Sequence, residues 1–124
     1  MHTRTIGALA LAVWLTPATG SASAAPWLCT ATDAQFCRAG RCTPIAATVA
    51  VTLDNDSGTY RRCAGSDCAE PERARVSAGS GYTLAELPGR GAFLRVVADS
   101  GEFVEVVTLG ATVYVNTGRC ALLQ

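Results

Sequence analysis

Six cysteines in 124 residues constrain this chain more than any other feature: Cys29, Cys37, Cys42, Cys63, Cys68 and Cys120. What they do depends on where the chain works, and its first residues bear on that. MHTRTIGALALAVWLTPATGSASAAPW carries Arg4, then an apolar run over residues 6–15, then the breakers Pro17 and Gly20. Ala22-Ser23-Ala24 follows as a small-x-small cleavage signal. The run is too short to span a bilayer, which needs about 20 residues. The pattern predicts a cleaved export signal over residues 1–24 and a mature chain of about 99 residues. Trp27 and Leu28 precede Cys29, where a lipid-anchor signal wants small residues. The expected product is soluble, without membrane insertion, in the periplasm or secreted. In an oxidising compartment an even set of cysteines in a small domain reads as a disulfide framework.

Six cysteines allow 15 connectivities, and spacing alone does not choose among them. Two local pairs are favoured. Cys37 and Cys42 flank Arg-Ala-Gly-Arg, and Cys63 and Cys68 flank Ala-Gly-Ser-Asp. Each loop has a glycine able to take positive φ. Cys29 and Cys120 would then join the ends of the domain. The competing reading is a four-cysteine zinc site, because C-x4-C occurs twice. An exported chain disfavours it.

Composition removes several chemistries. His2 is the only histidine and lies in the leader; lysine is absent. A serine or cysteine nucleophile activated by imidazole therefore has no base in the mature chain, and lysine chemistry is gone. Of ten basic residues Arg4 leaves with the leader, so nine arginines face ten acids. That balance gives no cationic excess for nucleic acid. Nothing in the sequence calls for a cofactor or metal. A carboxylate pair could serve a hydrolase, but no pair among ten acids stands out.

Residues 25–46 show no sustained period and are expected to form a disulfide-pinned irregular arm. From residue 47 the period is two. Seven strands are expected, over 48–53, 59–63, 73–77, 82–87, 92–98, 102–109 and 112–116. Short strands with close turn signals predict an all-β domain, residues 47–124, an antiparallel meander closing into a barrel or sandwich. Around Asp99-Ser100-Gly101 a three-residue loop would pair Ala98 with Glu102 and set Arg95 opposite Glu105. Gly110-Ala111 suits a II′ turn placing Val107 beside Tyr114 and Val106 beside Val115. Arg61-Arg62 reads as one exposed and one half-packed strand residue, with anion contact as the functional alternative.

APWLCT, the YRRC…C turn and the closing FVEVVTLGATVYVNTGRC resemble pieces of small cysteine-rich exported proteins of Gram-negative bacteria. The chain is also faintly similar to periplasmic inhibitors of c-type lysozyme, through Ser80-Gly81-Tyr82. Their Ser-Gly-x-Lys-Tyr loop has two more residues, lysine among them, so no inhibitory residue carries over. The expected function is non-enzymatic binding of a protein or envelope component. The contact residues would be Arg38, Arg41 and Arg90, on exposed loops. The alternatives are a lysozyme-inhibitor-like protein and a carboxylate hydrolase.

Overall fold

The structure, a computed structural model, describes residues 26–123; the expected leader over residues 1–24 lies outside them. Eleven strands form one antiparallel sheet. They are β1 (Trp27–Arg38), β2 (Arg41–Ile45), β3 (Val49–Leu53), β4 (Thr59–Ala64), β5 (Asp67–Cys68), β6 (Glu72–Arg73), β7 (Arg75–Gly79), β8 (Tyr82–Leu87), β9 (Ala92–Val97), β10 (Glu102–Leu109) and β11 (Thr112–Leu122). The order is β5-β4-β3-β1-β11-β10-β9-β8-β7, with β2 on β1 and β6 on β4. The sheet curls into a half-barrel. Side chains of β4 meet β10 across the interior although β3, β1 and β11 separate them in the sheet.

The described residues hold eleven strands rather than the expected seven, and the expected irregular arm over residues 25–46 instead forms β1, the longest strand, and β2. β1 runs twelve residues and has partners along both edges. One edge pairs with β11. The other carries β3 along Trp27–Thr30 and β2 along Ala34–Arg38. A bulge between Ala31 and Asp33 breaks the alternation. That slip moves the inward set from Cys29 and Ala31 to Ala34, which hides the period from a sequence reading.

The three disulfides are Cys29–Cys120, Cys37–Cys42 and Cys63–Cys68. Each joins directly opposed residues of neighbouring strands, on β1/β11, β1/β2 and β4/β5. With every sulfur engaged, a four-cysteine metal site has no thiolate to use. The Cys37–Cys42 pair, Cα atoms 4.0 Å apart, is a narrow pair whose backbone groups turn away from the partner strand. Pro44, two residues on, repeats that phase. Its missing N–H therefore faces solvent on the free edge of β2, which blunts that edge against strand addition.

The interior is lined by Cys29, Val51, Leu53, Tyr60, Leu94, Val96 and Phe103. Burying each large aliphatic contributes roughly 1.5–3 kcal/mol. At the Gly110-Ala111 turn glycine alone takes positive φ (60°), as a II′ turn requires, and Val107 pairs Tyr114.

The preceding hairpin differs from expectation. Val104 pairs Arg95 and Glu105 pairs Leu94, one residue away from the expected register. Gly101 is the cause. It takes φ 73°, donates its N–H to the Val97 carbonyl (2.9 Å) and accepts from the Cys120 N–H (2.7 Å). A Cβ there would lie 2.5 Å from the Cys120 oxygen. Gly101 is thus absorbed against β11, and the loop lengthens by one residue. Arg95 and Glu105 then point to opposite faces. Arg95 lies 4.5 Å over the Tyr82 ring on the outside, and Glu105 is fully buried.

Two stability measurements check this architecture. On loop-closure entropy, replacing Cys29 and Cys120 by alanine lowers unfolding stability by about 4–5 kcal/mol, and replacing Cys37 and Cys42 by about 2 kcal/mol. At the β1–β2 turn, Ala39 holds φ 51° ahead of Gly40 at 74°, a type I′ turn that prefers Asn-Gly. Ala39→Asn should raise the denaturation midpoint by about 0.5–1 kcal/mol of stability.

Candidate functional site

Glu105 stands in a run that reads FVEVV, between Phe103 and Val107 in the inward phase of β10. Its side chain is 0% exposed. A buried carboxylate is costly unless paired and hydrogen-bonded, and this one is both. The Tyr60 hydroxyl donates to Oε2 at 2.5 Å. Asn116 Nδ2 donates to Oε1 at 2.9 Å. Arg62 Nε lies 3.2 Å from both oxygens and donates between them. These donors come from two strands of the sheet. Asn116 is the register partner of Glu105 on β11, whereas Tyr60 and Arg62 reach across from β4 because the sheet curls. The cluster therefore also closes the half-barrel.

Burial raises the Tyr60 phenol above its ordinary value, and the neighbouring Glu105 charge raises it further. A neutral hydroxyl is required for its bond to the carboxylate, so the folded state resists deprotonation.

Above this cluster the interior opens. One depression, about 260 Å³, is lined by Ile45, Val49, Ala64, Val107, Leu109 and Tyr114, with Arg62 and Asn116 at its polar end. A second, about 430 Å³, is lined by Arg62, Gly89, Arg90, Val107, Thr108, Leu109 and Gly110. The two share Arg62, Val107 and Leu109 as a common wall. Arg62 is 24% exposed. Among the described residues, only its Nε makes hydrogen bonds. Ile45 and Leu109 are exposed by 43% and 62%, large apolar residues at the lip.

The residues singled out from sequence fall partly here. Arg90 lies in the single-turn segment Pro88–Arg90 and forms an ion pair with Glu72 of β6. Arg38 and Arg41 face each other across the β1–β2 turn and are exposed. Register places them in the phase of Phe36, Tyr114 and Leu109, at the rim of the same concave face. Arg61 is exposed and Arg62 half-buried. Asp67, opposite Ala64, is an exposed acid across the rim. Ser80-Gly81 forms the β7–β8 turn. The Tyr82 ring packs over Gly79, where a Cβ would lie 2.4 Å from a ring atom.

Comparison with protein-family models, with curated proteins and with solved structures found no match. The site is therefore read from its own chemistry. Among the described residues no three His, Cys, Asp or Glu side chains gather as metal ligands. Tyr60 and Asn116 are not among the residues the sequence points to, and Glu105 is expected there only as the partner of Arg95. The usable signal was one carboxylate in the inward phase of an apolar strand. The misplaced register assigned it to Arg95 on a partly solvated face.

The cluster makes two predictions. Glu105→Ala should cost about 3–5 kcal/mol in urea unfolding, since it strands Arg62 and Tyr60; a double Glu105→Met, Arg62→Met variant should recover most of that. Because the folded Tyr60 pKa lies above the unfolded value of about 10, the stabilisation is complete below pH 10 and is lost above it. The decline should reach about 1.4 kcal/mol per pH unit, and Tyr60→Phe should remove that part of the slope.

Proposed function

We propose that this chain is an exported, non-enzymatic β-domain that binds a protein or envelope component through the mouth of its half-barrel. The observation that carries this reading is the saturation of Glu105. Its two oxygens accept from Tyr60, Asn116 and Arg62, so the carboxylate has no proton-transfer task left. It holds Arg62 in place at the mouth. Of the other acids around the mouth, Glu72 is tied to Arg90 and Asp67 stands exposed on the far rim, opposite Ala64. A hydrolase built on two carboxylates needs one acid and one base or nucleophile free to act side by side, and the engaged Glu105 gives Asp67 no such partner.

The surroundings fit binding. Ile45 and Leu109 hold apolar surface at the lip, and such surface beside fixed polar groups marks recognition sites. Arg38, Arg41 and Arg90 stand around it. Three disulfides fit a compartment outside the cytoplasm, in line with the leader pattern. An inhibitor-like role through Ser80-Gly81-Tyr82 gains nothing from this geometry, because the Tyr82 ring is committed to Gly79 and Arg95.

The test compares the oxidised full chain with Leu109→Asp, a change at an exposed lip residue. Both are immobilised and exposed to solubilised envelope extract, and each retained component is purified, weighed and titrated. A component bound at least about tenfold more weakly by the variant, and recovered with unchanged mass, is the expected result. Identical retention by both proteins overturns the mouth as the binding surface, and a chemically altered component overturns the non-enzymatic reading.

A further inference from the structure

The two depressions at the mouth differ in chemistry and touch along one wall. One is walled by Ile45, Val49, Ala64 and Tyr114. The other is lined by two cationic residues, Arg62 and Arg90, together with Gly89 and Gly110. Arg62, Val107 and Leu109 belong to both, with Arg62 at the polar end of the apolar one. A ligand that fills both must therefore be apolar at one end and anionic at the other. Resting on the mouth as the binding surface, we infer that the ligand is a single-chain anionic amphiphile: an aliphatic chain ending in a carboxylate or phosphate, taken up as a free molecule rather than within a membrane.

Charge supports the anionic end. Glu105 neutralises Arg62 from below through Nε, and the two remaining guanidinium nitrogens make no hydrogen bond among the described residues. Those are the edges that pair with carboxylate or phosphate oxygens. Arg90 is exposed and its partner Glu72 half-buried, so solvent reaches the pair and an incoming anion can compete for Arg90. Arg38 and Arg41 add positive charge at the rim. Asp67 stands on the opposite side, so the attractive field favours the β1–β2 and Arg90 side.

Size supports the single chain. The apolar depression, about 260 Å³, is below the roughly 300–1,000 Å³ of pockets that bury drug-sized ligands. It suits one slender chain. Strand addition is the competing way to bind a peptide here, and Pro44 removes a needed outward donor from the adjoining edge of β2.

The experiment titrates the oxidised chain with sodium decanoate below its micelle concentration, with decan-1-ol, with inorganic phosphate, and with phosphatidylglycerol vesicles. Decanoate should bind one saturable site, about tenfold or more tighter than decanol or phosphate, since a charged hydrogen-bonded contact is worth about that factor. Arg90→Gln should weaken decanoate and leave decanol unchanged. Glu72→Gln, which frees Arg90, should tighten decanoate. Leu109→Ser should weaken both chains alike. These positions are exposed or half-exposed, so the variants keep the fold, checked by their thermal midpoints. Equal affinity for decanoate and decanol, insensitivity to Arg90→Gln, or binding to vesicles without binding to free decanoate each overturns the inference. If decanoate fails while mouth-dependent retention from envelope extract persists, only the ligand class falls; if both fail, the mouth itself is not the site.

Discussion

The pairing of β1 with β11 is the constraint on which this molecule depends. The sheet has two halves, one built from β2 to β6 and the other from β7 to β10, and their strand pairing runs only through these two long strands. Without that seam neither half has a second wall. Eleven paired positions and the Cys29–Cys120 bridge fix its register. Gly118 permits the close approach, since a Cβ there would fall 2.1 Å from the Thr30 carbonyl oxygen. Once the seam is set, β4 and β10 are brought to face each other, and the interior cluster follows.

That cluster joins stability to the chemistry at the mouth. A buried carboxylate is expensive, and burying it in a small domain uses up three donors, one on the adjacent strand and two from β4 across the interior. A well-packed aliphatic core would fill the same space at less cost. What the polar arrangement adds is position: Arg62 is held by its Nε where it lines both depressions. The costly element of the interior and the cation at its surface are one device.

The sequence made the alternation, the turns and the small-loop cysteine spacings legible. The II′ turn at Gly110-Ala111 could be read because it depends on two residues and nothing distant. β1 could not be read, because a bulge and two different partners along one edge erase a simple period. The Arg95–Glu105 register failed for a related reason. Gly101 looks like a hairpin glycine, and its carbonyl is taken by Cys120, a residue nineteen positions away. The inner cluster depended on that register. A one-residue slip moved Glu105 from a solvated face into the core, so the carboxylate with the most consequence was paired on paper with the wrong arginine. The three loop arginines were visible as exposed charges, but their shared concave face required the curl of the sheet.

The bond between Cys29 and Cys120 has a mechanical side as well. It lies near both limits of the described chain and makes residues 29 to 120 one covalent ring. Tension applied through segments flanking that ring passes across the sulfurs and never reaches the strands between them. Between the two sulfurs the β-domain cannot lengthen under such a load. A neighbour attached on either side could be pulled, anchored or threaded while the mouth kept its shape.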